Sequence, residues 1–196
     1  MSAPPAPPLV LASRSAQRRV ILEQLGIPFD VVLPEYEEEV GGHDPAQTVR
    51  ENARGKARSL AGAAAGRAVL GVDTEVVLEG RVFGKARTAA EAEAMLEALA
   101  GQTHEVISGL CLLTPAWEEV GYEVTRVSFR KLDARDLAAY VGIGEWEGRA
   151  GAYAVQGRGA ALVERIEGDY LNVVGLPATL LVRLLATRFP GVYGFG

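Results

Sequence analysis

Apolar residues along this chain fall either in short continuous runs or at spacings of three and four, and the two rhythms predict strands interleaved with helices. Leu9-Val10-Leu11-Ala12 reads as a buried strand that breaks into the polar Ser13-Arg14-Ser15. Val20, Ile21, Leu22 and Leu25 then recur at helical spacing until Gly26. A second strand over residues 29–33 is closed by Pro34, and the acidic run Glu35-Tyr36-Glu37-Glu38-Glu39 follows at once. From residue 44 to about residue 65 an amphipathic helix is expected, with Asp44 as its N-cap, Pro45 at its first helical position and Lys56 on its surface. Residues 68–72 form a buried-type strand that delivers Asp73-Thr74, where strand is expected to become turn; a hairpin through Glu79-Gly80 follows. Thr88 caps a helix that ends at Gly101, with Glu91 expected to complete a capping box. Residues 105–113 and 122–132 suggest an antiparallel pair, residues 133–141 a short helix, and residues 177–188 a last helix. Helices thus interrupt both crossovers and hairpins. The expected fold is mixed α/β, a twisted central sheet flanked by helices, rather than a purely doubly wound one.

Composition narrows this little. A chain of 196 residues, 48% hydrophobic, can bury one sizeable core. We expect a disordered lead over residues 1–8 and a single domain over residues 9–196. A net charge of −5 argues against a surface that tracks nucleic acid, so any affinity for anions must be local. The lone Cys111 excludes an internal disulfide framework, and with two histidines it leaves no zinc-type cluster. The first eight residues lack the pattern of a signal peptide, and no run approaches the roughly 18 apolar residues of a spanning helix. No membrane partner and a cytoplasmic location are therefore expected.

Hydrolysis of a triphosphate requires a divalent cation, carboxylates to hold it, basic groups on the phosphate oxygens and a base for water. All four are on offer at loop ends: Glu35, Glu37, Glu38 and Asp73 as carboxylates, and Arg18, Lys56, Lys85 and Arg149 as cations. Each has a plainer reading. The acidic run suits a solvated loop, Asp73 a turn-forming residue, Lys56 a surface helix lysine and His104 a structural histidine. Asp73 stands out because it follows a buried strand, where an unpaired carboxylate is costly. Gly84-Lys85 is a weak phosphate-loop cue, and neither a Walker motif nor a Rossmann fingerprint is present.

Taken in order, these segments resemble the Maf family of nucleoside triphosphate pyrophosphatases. Leu11-Ala12-Ser13-Arg14-Ser15-Ala16-Gln17-Arg18-Arg19 is similar to its opening motif, residues 34–38 to its acidic loop, Arg54-Gly55-Lys56-Ala57 to its helix lysine, and Gly71-Val72-Asp73-Thr74 to its aspartate motif. Gly84-Lys85, residues 101–106, residues 150–157 and residues 168–177 continue the match across nearly the whole chain. The resemblance implies an inosine triphosphate pyrophosphatase-like fold with two lobes around a cleft, a homodimer in many members, and cleavage of a nucleoside triphosphate to monophosphate and pyrophosphate with Mg²⁺ or Mn²⁺. Carried over by position, it makes Asp73 the proton acceptor, Glu38 and Asp73 metal ligands, and Ser13, Arg18, Lys56 and Lys85 phosphate-binding residues.

Members selective for dTTP and UTP carry Arg, Thr and Gln at three positions that are Gln17, Thr74 and Gln156 here. Two of three match, which favours pyrimidine nucleotides. Other departures are Ala16 and Ala86 for proline, Ser108 for threonine and Arg149 for lysine. Two alternatives stay open at this level: a house-cleaning pyrophosphatase of broader specificity for modified nucleotides, and a nucleotide-binding regulator of septum formation.

Overall fold

In the computed structural model, which describes residues 6–39 and 44–195, one seven-stranded mixed sheet organises the chain. The first five residues of the expected N-terminal lead lie outside the described residues. Of the remainder, Ala6 packs against the core, and the Pro7 carbonyl accepts a hydrogen bond from the Tyr193 hydroxyl. Strands β1 (Leu9–Ala12), β2 (Phe29–Val32), β3 (Val69–Leu78), β4 (Arg81–Phe83), β5 (Thr103–Leu113), β6 (Glu118–Phe129) and β7 (Val163–Glu167) alternate with helices α1 (Ala16–Gln24), α2 (Pro45–Ser59), α3 (Ala89–Leu99), α4 (Ala134–Val141), α5 (Tyr170–Val174) and α6 (Ala178–Arg188). The strand order is β2-β1-β3-β5-β6-β7, with β4 also paired to β3. Pairs β1–β2 and β1–β3 are parallel and the rest antiparallel, so the mixed character expected from the sequence holds.

Helix ends follow local chemistry. The Asp44 side chain accepts from the Ala46 amide to start α2, and Asp133 accepts from two amides to start α4. At α3 the Thr88 hydroxyl caps the Glu91 amide, but Glu91 does not return the bond to Thr88: its carboxylate accepts from the Arg87 amide one residue earlier. Helix α2 stops at Ser59, short of residue 65, because the small-residue stretch that follows turns instead of extending the helix.

The main departure from the sequence reading is β3. Asp73 does not mark the end of a strand: it is the fifth residue of a continuous ten-residue strand and pairs with Gly109 of β5. The register shows why a polar residue is tolerated there. On one side β5 runs along β3 from Val69 to Val77. On the other side β1 pairs with Val69 to Gly71, and β4 pairs only from Val76 onward. Among the described residues, then, positions 72–75 face a gap between two neighbouring strands.

Alternation along β3 extends the gap into the layers on both faces of the sheet. On one face Leu70 and Val72 join a cluster with Leu110, Ile21 and Leu181, and Val76 joins a second cluster with Leu96, Val127 and Phe129. Thr74 and its cross-strand partner Ser108 lie between these two cores. On the opposite face, covered by α2, Val69 packs with Ala53 and Ala57, and Val77 packs with Val49. Gly71, Asp73 and Glu75 fall between.

Helix α2 comes unusually close to the sheet. A Cβ on Gly71 would lie 2.1 Å from the Ala53 carbonyl oxygen, and one on Gly109 would lie 2.1 Å from the Val49 carbonyl oxygen. The obstruction is backbone, so it cannot be relieved by a rotamer change. Gly71→Ala is expected to destabilise the fold by at least about 2 kcal/mol by prising α2 from β3, and to lower activity because α2 carries Asn52 and Lys56. Denaturant unfolding with an unchanged midpoint would show that the helix can move away freely.

Candidate active site

Three segments meet at the strand gap. The turn after β1 brings Ser13 and, through α1, Arg18; the acidic loop after β2 brings Glu38 and Glu39; α2 brings Asn52 and Lys56. Gly55 has a part in this, since a side chain there would overlap the Tyr36 ring, which packs on α2 beside the acidic loop. The cleft they enclose has a volume of about 970 Å³.

Lys56 is the hub. Its Nζ lies 2.7 Å from Asp73 Oδ1, 2.7 Å from Glu38 Oε1 and 3.2 Å from the Val72 carbonyl, so each of its three N–H donors has an acceptor. Both the lysine and Asp73 are buried. The other Asp73 oxygen accepts from Asn52 Nδ2 at 2.8 Å. Asn52 is itself held by the Glu39 backbone, accepting from its amide at 2.9 Å and donating to its carbonyl at 2.8 Å. Burial alone would push the Asp73 carboxyl up, but the Lys56 charge and hydrogen bond, the Asn52 amide and the Arg18 charge outweigh it and hold Asp73 below its ordinary value. Asp73 is thus ionised at neutral pH although it is buried. Glu38 is the looser partner, with 41% of its side chain exposed, and it is the one of the three acceptors that can leave.

Arg18 forms a second node. Its guanidinium donates to Ser13 Oγ at 3.1 Å, Thr74 Oγ1 at 3.2 Å and the Gly175 carbonyl at 2.8 Å. Burial lowers its pKa, against the opposing pull of Asp73 and Glu38. Ser13 Oγ also accepts from the Ser15 amide at 3.1 Å, which folds the turn back on itself. Thr74 shares a 2.8 Å hydrogen bond with Ser108. Ser13, Arg18 and Thr74 therefore make one connected polar wall.

The remaining sequence-derived candidates divide. Lys85 is exposed and lines the same cleft, placed by a bridge to Ala150, but no hydrogen bond or ion pair links it to Asp73 or Glu38. Glu35 and Glu37 are exposed and lie outside the cleft lining. A smaller chamber of about 260 Å³ adjoins the cleft and shares Gln17, Arg149 and Tyr153 with it; Gln156 lines only this chamber. The Gln17 side-chain oxygen Oε1 accepts from the Ser15 hydroxyl at 3.2 Å. Gln17 and Gln156 thus face a common space, whereas Thr74 belongs to the floor of the larger cleft.

Asn52 is the residue that sequence reasoning missed. Its signal was present: it stands one helical turn before Lys56, on a face otherwise marked by Val49, Ala53 and Ala57, where a polar side chain needs a partner. Arg149, Glu75 and Tyr153 also line the cleft. His104 is buried, its Nε2 is 2.8 Å from the Tyr153 hydroxyl, and burial lowers its pKa to about 4. Because the folded value lies below the unfolded one, neutral His104 supports the fold above about pH 6.5, and that support is lost as pH falls toward 4. His104→Gln is expected to remove about 1.4 kcal/mol per pH unit from the pH dependence of stability over this window. Parallel stability curves for the two proteins from pH 7 to 4.5 would contradict it.

Two carboxylates and one ammonium do not make a closed metal cage, and among the described residues no group of three His, Cys, Asp or Glu side chains is placed to hold a metal ion. Glu38 and Asp73 are nonetheless hard oxygen donors, brought near one another by their shared contact with Lys56 Nζ. That suits Mg²⁺ or Mn²⁺, which take one or two carboxylates and fill the remaining positions with phosphate oxygens and water. No helix among the described residues is long and apolar enough to cross a membrane.

The family model described as Maf-like protein matches residues 8–188. The dTTP/UTP pyrophosphatase of Deinococcus radiodurans is 42% identical over 196 residues, covering 100% of both chains. Those of Nitratidesulfovibrio vulgaris and Symbiobacterium thermophilum are 45% and 46% identical, covering 93% and 92% of this chain and 89% and 93% of their own. The structure of the Staphylococcus aureus Ham1 protein matches only in part, with 15% identity and a TM-score of 0.45 over 63% of this chain and 72% of that one.

Proposed function

The chain belongs to the Maf-like protein family, and from that premise we propose that it hydrolyses a nucleoside triphosphate, dTTP or UTP by preference, to the monophosphate and pyrophosphate. The observation that carries this reading is a buried, ionised Asp73, fixed on both oxygens and opening on a cleft lined by Arg18, Lys56 and Lys85. The names of the aligned relatives support the choice of base.

In this reading the triphosphate lies along the turn after β1, with Ser13 and Arg18 on one side and Lys85 on the other. Ser13 Oγ accepts from Arg18 and from the Ser15 amide, which leaves its O–H to donate to a phosphate oxygen. A water held by Asp73 attacks the α-phosphorus; the new P–O bond forms as the bond to the bridging oxygen breaks, pyrophosphate leaves, and the water proton passes to the Asp73 carboxylate. Lys56 and Asn52 keep that carboxylate ionised and aimed. Because a carboxylate with a depressed pKa is a weak base, Asp73 orients the water first and takes its proton only as the new P–O bond forms. Glu38 and Asp73 would hold Mg²⁺ or Mn²⁺, which when bound neutralises charge on the phosphate oxygens. Lys56 reaches a phosphate oxygen by exchanging Glu38 for it, which couples arrival of the anion to release of a carboxylate.

Gln156 and Gln17 face the adjoining chamber and read the base there, each amide offering both a donor and an acceptor. Pyrophosphate release measured across canonical and modified triphosphates with Mg²⁺ or Mn²⁺ tests the reading. We expect dTTP and UTP to lead. No turnover of any triphosphate would transfer support to the nucleotide-binding regulator, and a clear lead for modified nucleotides to the house-cleaning enzyme.

A further inference from the structure

Gln156 stands at the start of a short helical turn. It is the N-cap of the 3₁₀ turn Gly157–Leu162, yet its side chain makes no capping hydrogen bond. The amides it could have served are taken by another segment. Glu145, in the loop after α4, accepts from the Arg158 amide through Oε1 at 3.0 Å and from the Gly159 amide through Oε2 at 3.0 Å. On the other side of Gln156, the Tyr140 hydroxyl accepts from the Ala154 amide at 3.0 Å. Gln156 is thus bracketed by two anchors from the α4 region, and Glu145 lines the same chamber.

We infer that Glu145 is a positioning residue for base selection: by capping the turn from outside, it frees the Gln156 amide and fixes its backbone, so that the amide meets the base at a set angle. A carboxylate suits this task because its two oxygens can accept from two consecutive N–H groups at once, and hydrogen bonds to a charged acceptor are stronger than neutral ones. Without it, two N–H groups at the turn compete for the Gln156 side-chain oxygen, and the side-chain amide is drawn away from the chamber. The inference rests on the proposed pyrophosphatase reading and on Gln156 facing the base.

The test compares wild type, Glu145→Ala, Gln156→Ala and the double variant by kcat/KM for dTTP and for dATP. Gln156→Ala is expected to lower the dTTP-over-dATP ratio by about tenfold, roughly the loss of one well-placed hydrogen bond. Glu145→Ala should lower it to a similar extent while kcat for saturating dTTP stays within about threefold of wild type, and the double variant should be no worse than Gln156→Ala alone. An unchanged ratio in Glu145→Ala, an equal loss for both nucleotides, or a multiplicative double variant would overturn the inference. The last outcome would mean that Glu145 touches the base itself. If Glu145→Ala unfolds, Glu145→Gln, which keeps one acceptor oxygen and turns an amide N–H toward the other donor, is read by the same criteria and should give a smaller fall in the ratio. A wild type without triphosphate turnover would overturn the proposed function; a wild type that discriminates while Glu145→Ala discriminates equally well would overturn this inference alone.

Discussion

Replacing Asp73 with asparagine is expected to lower pyrophosphate release by about a thousandfold or more while nucleotide binding survives. The change is nearly isosteric, so the cleft keeps its shape, but the residue can no longer take a proton. It also sets two amides against each other. Asn52 Nδ2 donates to Asp73 Oδ2, and Asn52 cannot turn over to compensate, because its oxygen and nitrogen are both committed to the Glu39 backbone. The new amide must then keep its oxygen toward Lys56 and leave its nitrogen facing a donor, a mismatch of about 1–3 kcal/mol in a buried site. Two measurements separate the effects: single-turnover release of pyrophosphate for the chemistry, and calorimetric binding of dTTP for the site. Turnover within tenfold of wild type would remove Asp73 from the role of proton acceptor.

Lys56→Met is expected to cost about 3–5 kcal/mol of stability, the largest stability effect we anticipate, because it leaves Asp73 buried without its counter-charge. The methionine fits the space, so the loss is electrostatic. In the wild type the folded value of Asp73 lies below the unfolded one, and its contribution is present above the ordinary carboxylate range and is lost as pH falls through the folded value. Removing the ammonium leaves burial as the leading influence and moves the folded value upward. The variant then prefers a protonated Asp73, and its deficit relative to wild type should grow as pH rises from about 4 to 7.5. Urea unfolding of both proteins at pH 4.5 and 7.5, with a chelator to remove divalent cations, measures this directly. A deficit of equal size at the two pH values would mean that Lys56 contributes packing alone.

The two variants bear on one arrangement, in which an ammonium and two carboxylates are held at a break in a sheet. Its energetic logic depends on completeness. Lys56 has three donors and three acceptors, and Asp73 has a partner on each oxygen, so neither buried charge is left exposed to the low dielectric. Glu38 is the part that can exchange, being bound at one end to Lys56 and otherwise facing solvent.

Much of this was legible in the chain. The run Leu9 to Ala12, the spacing of Val49, Ala53 and Ala57, and the caps Asp44 and Thr88 are local statements, and local backbone and solvation preferences are enough to read them. What misled the reading of Asp73 was also local. A carboxylate after four apolar residues suggests a strand end, because nothing in the neighbouring sequence offers it a partner. The partners come from 21 and 17 residues away, Asn52 and Lys56 on α2, and in their presence β3 continues unbroken to Leu78.

By itself, then, the sequence determined the alternation of strands and helices, the mixed sheet and the pool of carboxylates and cations that chemistry could draw on, since each depends on periodicity, capping and residue type. Only the tertiary structure decided which of them meet. The gap between the end of β1 and the start of β4 selects positions 72–75, the two glycines that admit α2 set Lys56 and Asn52 against Asp73, and Glu35 and Glu37 are left in solvent although they stand beside Glu38 in the chain. The reason is that a buried charge is stable only where an opposite charge and hydrogen bonds arrive from elsewhere in the fold, and contacts of that range are set by sheet register and helix packing, not by neighbouring residues.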